Sequence, residues 1–285
     1  MSRNEGRFGT ADGTPEDEGS SAAAVSGGSE LNWAVPTEFV TLPSQGRYYP
    51  NNHPLSGKED IEIRFMTAKE EDILTDRALL KKGVAIDRAL QNLIVDKSIR
   101  VEGLLLGDKN ALVIAARISG YGEDYTTSVI CPNCAERSEN TFDLSEVEAI
   151  SIAEALDSEG VTLTENNTFL FTLPTTKAEI ECRMLTGKDE LAIAKEGMRR
   201  ERQKESSTAL TGQLKRMIVT INKVDAVARI AGFIDNMPAR DSRHIRSVLS
   251  KVTPNVDLTQ SFTCEHCDFT ADLEVPLTSD FFWPK

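Results

Sequence analysis

An α+β fold, with mixed helices and short antiparallel strands gathered on a four-cysteine zinc-ribbon-like site, is what this sequence predicts. Three observations predict it. Two Cys-x-x-Cys pairs, Cys131-Pro132-Asn133-Cys134 and Cys264-Glu265-His266-Cys267, lie far apart in the chain. Strand-like stretches flank both: residues 126–130 and 258–263 lead in, and residues 141–144 and 273–277 lead out. Apolar residues at helical spacing recur through much of the remainder.

The cysteine spacing carries the metal reading. Two residues between ligands let one tight turn present both sulfurs, and four thiolates close a tetrahedral shell around zinc. Cys131, Cys134, Cys264 and Cys267 are the expected ligands. A closed shell leaves no position for substrate, so the metal would hold structure rather than perform chemistry. The interval of roughly 130 residues between the pairs departs from the ~15–20 of a compact ribbon. The intervening chain therefore reads as an insertion pinned at its base by the metal. Unrelated cysteine turns and a disulfide pairing are the alternatives. Against the disulfide, no secretory leader is recognisable and the fifth cysteine, Cys182, has no mate. Cys182 lies in an alternating stretch, residues 178–184, and reads as a small core residue. His266 could replace a cysteine as ligand, but the symmetric set is simpler.

Composition bounds the class. A chain of 285 residues suffices for two modest domains or one with an extension. An apolar fraction of 40% and a charged fraction of 27% are those of a soluble protein, and no apolar run approaches the ~20 residues of a membrane span. A formal charge of −13 argues against a general nucleic-acid binder, and five cysteines without a leader point to a reducing compartment. Protein partners are expected, with neither a small-molecule substrate nor a membrane.

Along the chain, four segments are expected. Residues 1–35 form an acidic Gly/Ser-rich tail with too little apolar surface to offset ordering entropy, read as disordered. Residues 36–147 form a largely helical region ending in the first knuckle. Within it, residues 42–50 are turn-rich, residues 61–65 alternate as a strand, and Thr67 with Glu70 forms a capping box opening a helix to about Lys82, stopped by Gly83. A second helix near residues 87–95 places Ile86, Leu90, Leu93 and Ile94 on one face, and a third runs from Asp108 to the Gly120-Tyr121-Gly122 stop. Residues 148–252 form an inserted α/β region. It has strands at 169–173 and 179–184, a charged helix opening at Lys188 or Asp189, a helix over 210–218, a strand at 218–224, and a helix begun by Pro238 and stopped by Pro254. Its basic run, residues 199–204, is interrupted by Glu201 and reads as a solvated helical face. Residues 253–285 hold the second knuckle, the last strands, and Phe281-Phe282-Trp283, tucked into a core or an interface.

The search for catalytic constellations returns nothing. Walker A, H-E-x-x-H, G-x-S-x-G and G-x-G-x-x-G patterns are absent. His53 and His244 read as solvent-exposed, and no catalytic residue is assigned. The chain reads as a non-enzyme.

Several stretches carry a resemblance: Leu42-Pro43-Ser44-Gln45-Gly46, Tyr49-Pro50, residues 66–74, Leu80-Lys81-Lys82-Gly83, Gly107-Asp108, Ile118-Ser119-Gly120-Tyr121-Gly122, Tyr125, the Cys131/Cys134 pair and the final Phe281-Phe282-Trp283-Pro284. Residues 40–145, and more moderately the end of the chain, resemble the baseplate hub subunits of T4-like bacteriophages. That resemblance implies a structural or assembly role in the hub of a contractile tail, built in the host cytoplasm, with other baseplate and tail proteins as partners. The alternatives are a transient chaperone of hub assembly, absent from the virion, and a zinc-ribbon nucleic-acid-binding phage protein.

Overall fold

The computed structural model describes residues 34–150, 156–157, 159–276 and 279–282. The expectation for the tail falls on residues that, up to 33, lie outside these, as does that for Trp283.

Strand β1 (Thr37–Thr41) pairs antiparallel with β2 (Asp60–Arg64), Val40 opposite Ile61, and alternation along β2 buries Ile61 and Ile63. The connection is the turn-rich stretch the sequence predicts. It is pinned by buried Leu42 and Tyr49 and by Gly46, whose φ of +67° and lack of a side chain let the chain pass against the backbone of Lys58. Helix α1 (Ala68–Thr75) opens with the Thr67/Glu70 capping box, and Glu70 is further held by Arg64. The single helix expected to Lys82 is in fact two. Asp76 is extended, and its carboxylate accepts the amides of Ala78 and Leu79, ending α1 and capping α2 (Arg77–Lys82). Gly83, left-handed at φ 66°, then stops α2. Helix α3 (Ala85–Leu93) begins earlier than expected and buries Ala85, Ala89, Leu90 and Leu93, while Ile86, in its first turn, is 40% exposed.

Helix α4 (Leu106–Tyr121) is the structural axis, burying nine residues, three of them charged. Asp108 accepts hydrogen bonds from the Ser44 amide (2.9 Å), the Ser44 hydroxyl (2.6 Å) and the Tyr49 hydroxyl (2.7 Å), and Tyr49 Oη accepts the Leu105 amide (3.0 Å). Burial pushes the Asp108 carboxyl above its usual range, against the pull of these donors. Lys109 bridges Asp87 of α3 and Glu190. Arg117 donates to the carbonyls of Phe281 (2.8 Å), Gly122 (2.7 Å) and Asp124 (3.0 Å), its guanidinium lying over the rings of Tyr121, Tyr125 and Phe281. Gly107 lies where a side chain would collide with the Pro254 carbonyl, so the returning chain crosses the helix at its first turn.

Beyond α4 run β3 (Asp124–Ile130), β4 (Arg137–Asp143) and β5 (Glu148–Ala149). A four-stranded antiparallel sheet follows, ordered β6 (Thr162–Leu163), β7 (Phe169–Thr172), β8 (Glu179–Cys182) and β9 (Ile218–Ile221). Helices α5 (Gly187–Arg202) and α6 (Ala209–Met217) join β8 to β9. Helix α5 starts before Lys188 because Thr186 and Asp189 form a second capping box, missed in the sequence; Arg183 also holds Asp189, whose carboxyl is drawn down to about 2 in spite of its burial. Strand β9 is shorter than expected, because Asn222 and Lys223 both take positive φ in a turn. Helix α7 (Val227–Asn236) was not anticipated; its cap, Ala226, has no hydroxyl or carboxylate to mark it, and only the i,i+4 pair Ile230/Ile234 is buried. Helix α8 (Ala239–Val252) follows Pro238 as expected. Then β10 (Val256–Asp257) pairs with β5, and β11 (Thr259–Thr263) pairs with β12 (Thr270–Glu274).

One hydrophobic core runs from Leu42 through α4 and the four-stranded sheet to Phe281 and Phe282. The residues between the cysteine pairs are therefore not held at the sulfurs alone: the Gly187 amide donates to the Leu104 carbonyl and the Leu106 amide to Leu185. Phe281 and Phe282 belong to this core, with Phe281 edge-on to Tyr125 at 5.0 Å. The two histidines expected in solvent are half-buried instead, His53 stacked on Tyr49 at 4.3 Å and His244 edge-on to Phe171 at 6.0 Å. Among the described residues no helix is long and apolar enough to cross a membrane.

Arg117 sets the first prediction. Arg117→Ala leaves three carbonyls without their donor, and with each unsatisfied buried acceptor costing about 1–3 kcal/mol, urea unfolding should show a loss of at least about 3 kcal/mol. Arg117→Lys should recover less than half of that, because an ammonium lacks the planar fork. An alanine variant within about 1 kcal/mol of wild type would show that the network contributes little.

Candidate metal centre

The two knuckles are built alike. In the first, the Ala135 amide donates to the Cys131 carbonyl (2.9 Å) and the Cys131 amide to the Glu136 carbonyl (2.9 Å). In the second, the Asp268 amide donates to the Cys264 carbonyl (3.1 Å) and the Cys264 amide to the Phe269 carbonyl (2.9 Å). The residue after the second cysteine is left-handed in both, Ala135 at φ 60° and Asp268 at φ 53°. Each turn thus reverses the chain between paired strands, β3 with β4 and β11 with β12, and aims two sulfurs the same way.

Side chains fasten the hairpins to one another. The Gln260 amide group pairs reciprocally with the Asp143 backbone, accepting its N–H at 3.1 Å and donating to its carbonyl. The Glu265 amide donates to the buried Ser138 hydroxyl (3.2 Å), and the Tyr125 hydroxyl donates to the Pro276 carbonyl (3.1 Å). Cys131, Phe262 and Cys264 form a second, small core, with Val129, Phe269 and Leu273 packed against it.

All four sulfurs expected from the sequence lie within 4.8 Å of one another. Cys131 Sγ is 3.8 Å from Cys267 Sγ, and Cys134 Sγ is 3.7 Å from Cys264 Sγ. None of the chain's cysteines is in a disulfide. A metal–sulfur bond of about 2.3 Å gives a tetrahedron with edges of about 3.8 Å, so the donor set and its spacing fit one tetrahedral ion such as zinc. The Asn133 side-chain amide, 3.6 Å from Cys267 Sγ, draws that thiol down, and the His266 amide lies 3.4 Å from Cys264 Sγ. At Cys131 burial opposes ionisation, but the amides of Cys134 and Asn133 hold the thiol down to about 7. At Cys134 the Glu136 amide favours the thiolate, yet burial and the neighbouring sulfurs push it up to about 12. Four thiols this close cannot all ionise without a compensating cation.

His266 is not among the clustered donors; its ring Nε2 lies 2.9 Å from the Arg137 carbonyl. Cys182 lies apart, fully buried in β8, its thiol pushed up by that burial. Sequence reasoning missed Gln260 and Ser138, which no motif marks, and the left-handed Ala135 and Asp268, where glycine would have been the signal. Asn133 lay in plain view inside the first pair.

Fold and site together define a mixed α/β protein whose distant hairpins meet at a four-thiol cluster able to hold one metal ion. Residues 38–283 match the family described as T4 bacteriophage base plate protein, and the chain belongs to that family. No curated protein and no solved structure matches it. The family indicates a phage baseplate structural role, in the tail of the virion, with other tail and baseplate proteins as partners.

The Gln260 contact can be tested independently of any metal. Gln260→Leu keeps the volume but strands the amide and carbonyl of Asp143, at a cost of about 1–3 kcal/mol. Hydrogen exchange at Asp143 should accelerate by the same free energy, while amides in the middle of α4 keep wild-type protection. Unchanged exchange at Asp143 would mean that water replaces the glutamine freely.

Proposed function

We propose that this chain is a structural or assembly component of the baseplate hub, a non-enzyme that acts through protein–protein contacts. In this reading Cys131, Cys134, Cys264 and Cys267 hold a structural zinc ion that staples the C-terminal hairpin to the first. The observation that carries it is the closed set of four sulfurs: a fourth thiolate occupies the position that catalytic zinc sites leave to water or substrate. Zinc bound there would neutralise clustered thiolates and cross-link segments whose remaining fastenings are few. Family membership supports the tail setting, and the hub assignment rests on the resemblance of residues 40–145.

Two measurements test the two halves of this reading. The purified chain should contain one zinc per molecule, and Cys264→Ser should lower metal content several-fold. In that variant exchange should rise across residues 124–143 and 259–274 while the α4 core stays protected. Wild-type metal content and melting in the variant would refute the staple. For the hub, quantitative mass spectrometry of purified virions should find the chain at a small fixed copy number. Its absence from virions, with presence in tail-assembly intermediates, would instead assign it as a transient assembly chaperone.

A further inference from the structure

Charge is placed unevenly on this molecule. Residues 123–148 and 257–276, which include both hairpins, carry twelve carboxylates and one cation, Arg137, a formal −11 of the chain's −13. All of these carboxylates but Asp143 are exposed. Among the described residues none of them is in an ion pair.

Helix α8 is the counterpart. Its core face carries Ile245, Val248, Leu249 and Val252. The opposite face presents Arg240, Arg243 and Arg246 at three-residue intervals, all exposed, with Ser247 and Ser250 beside them and no carboxylate. None of the three arginines has an ion pair among the described residues. At the basic end of α5, Arg199 and Arg200 both pair with Glu196 and Arg200 also with Glu205, which leaves Arg202 alone of the three without an ion pair among the described residues.

We propose that the arginine face of α8 docks on the acidic hairpins of a second copy of this chain, head to tail. Three guanidiniums at a helical rise of about 4.5 Å apiece span about 9 Å. Asp272 and Glu274, exposed on one side of β12 and about 7 Å apart, lie within reach of such a row. Arginine forks suit carboxylates at an interface. The net charge of the copies repels them at long range, but at physiological salt the Debye length is about 8 Å and contact pairs decide. A nucleic acid is the poorer match, since its continuous phosphates would extend past three arginines onto a strongly acidic chain. Head to tail, without reciprocal engagement, the contact is heterologous and propagates to a ring or an open chain.

The experiment is light scattering of the full chain against protein concentration. At about 50 mM salt the weight-average mass of wild type should rise above 31.3 kDa, and at about 500 mM salt it should return to that value. Arg240→Glu/Arg243→Glu/Arg246→Glu and Asp272→Lys/Glu274→Lys, all at exposed positions, should keep the wild-type melting temperature and each remain monomeric. Their equimolar mixture should associate again, because each supplies the face the other lost. Wild type that stays monomeric at low salt, a triple variant that still associates, or a mixture that stays monomeric would each overturn the proposal. Monomeric wild type that binds a DNA duplex through α8 would replace it with a nucleic-acid contact.

Discussion

Buried charge on one helix dictates how this chain folds. Asp108, Lys109 and Arg117 are 0%, 7% and 1% exposed, and a buried ionised group without partners costs several kcal/mol. Asp108 and Lys109 find their partners on segments distant in sequence, and Arg117 joins the turn that follows its own helix to the distant Phe281 carbonyl. Asp108 gathers the turn at Ser44 and Tyr49, Lys109 gathers α3 and α5, and Arg117 gathers the start of β3 and the Phe281 carbonyl. The apolar core could tolerate several arrangements of these pieces. The directional demands of a carboxylate, an ammonium and a guanidinium select one.

The hairpins face a different problem. Each is a two-stranded sheet with little apolar surface, marginal in water by itself. Their shared core consists of Phe262, two cysteines and a few half-buried neighbours. Such an assembly needs cross-links, and it has two kinds. The Gln260 and Ser138 contacts align the strands, and the four sulfurs converge at the far end. With Gly107 admitting the Pro254 crossing and β10 pairing with β5, the second hairpin arrives beside the first already oriented.

Much of this was legible in the sequence, and the failures have physical causes. The cysteine spacing predicted the cluster because two-residue knuckles are a local geometry, independent of how far apart they fall. The Thr67/Glu70 box and the Gly83 stop were readable for the same reason. Asp76 was not read as a break, because a single aspartate in a helical pattern signals a cap only when the preceding residue leaves the helix. Ile86 stands four and seven residues before Leu90 and Leu93, so periodicity puts it on their face; its exposure depends on what packs over the first turn of α3, which periodicity does not fix. His53 and His244 look exposed from their polar neighbours, and only tertiary contact puts aromatic rings on them. Gln260 illustrates the limit: its role exists only after two segments more than a hundred residues apart are side by side.

The long interval between the cysteine pairs is no obstacle to a metal staple once magnitudes are compared. Loop-closure entropy grows as the logarithm of length, so closing roughly 130 residues instead of the usual ~17 adds only about 2 kcal/mol. Structural zinc sites in small peptides carry apparent binding free energies of about 10–16 kcal/mol at neutral pH. The folded insertion offsets much of the added term before the sulfurs meet, since its contacts to α4 shorten the effective loop. A metal bound at this point would therefore act late, locking hairpins that the α4 core has already brought together. The consequence would be mechanical: separating the second hairpin from the first would require breaking metal–sulfur bonds as well as sliding strands.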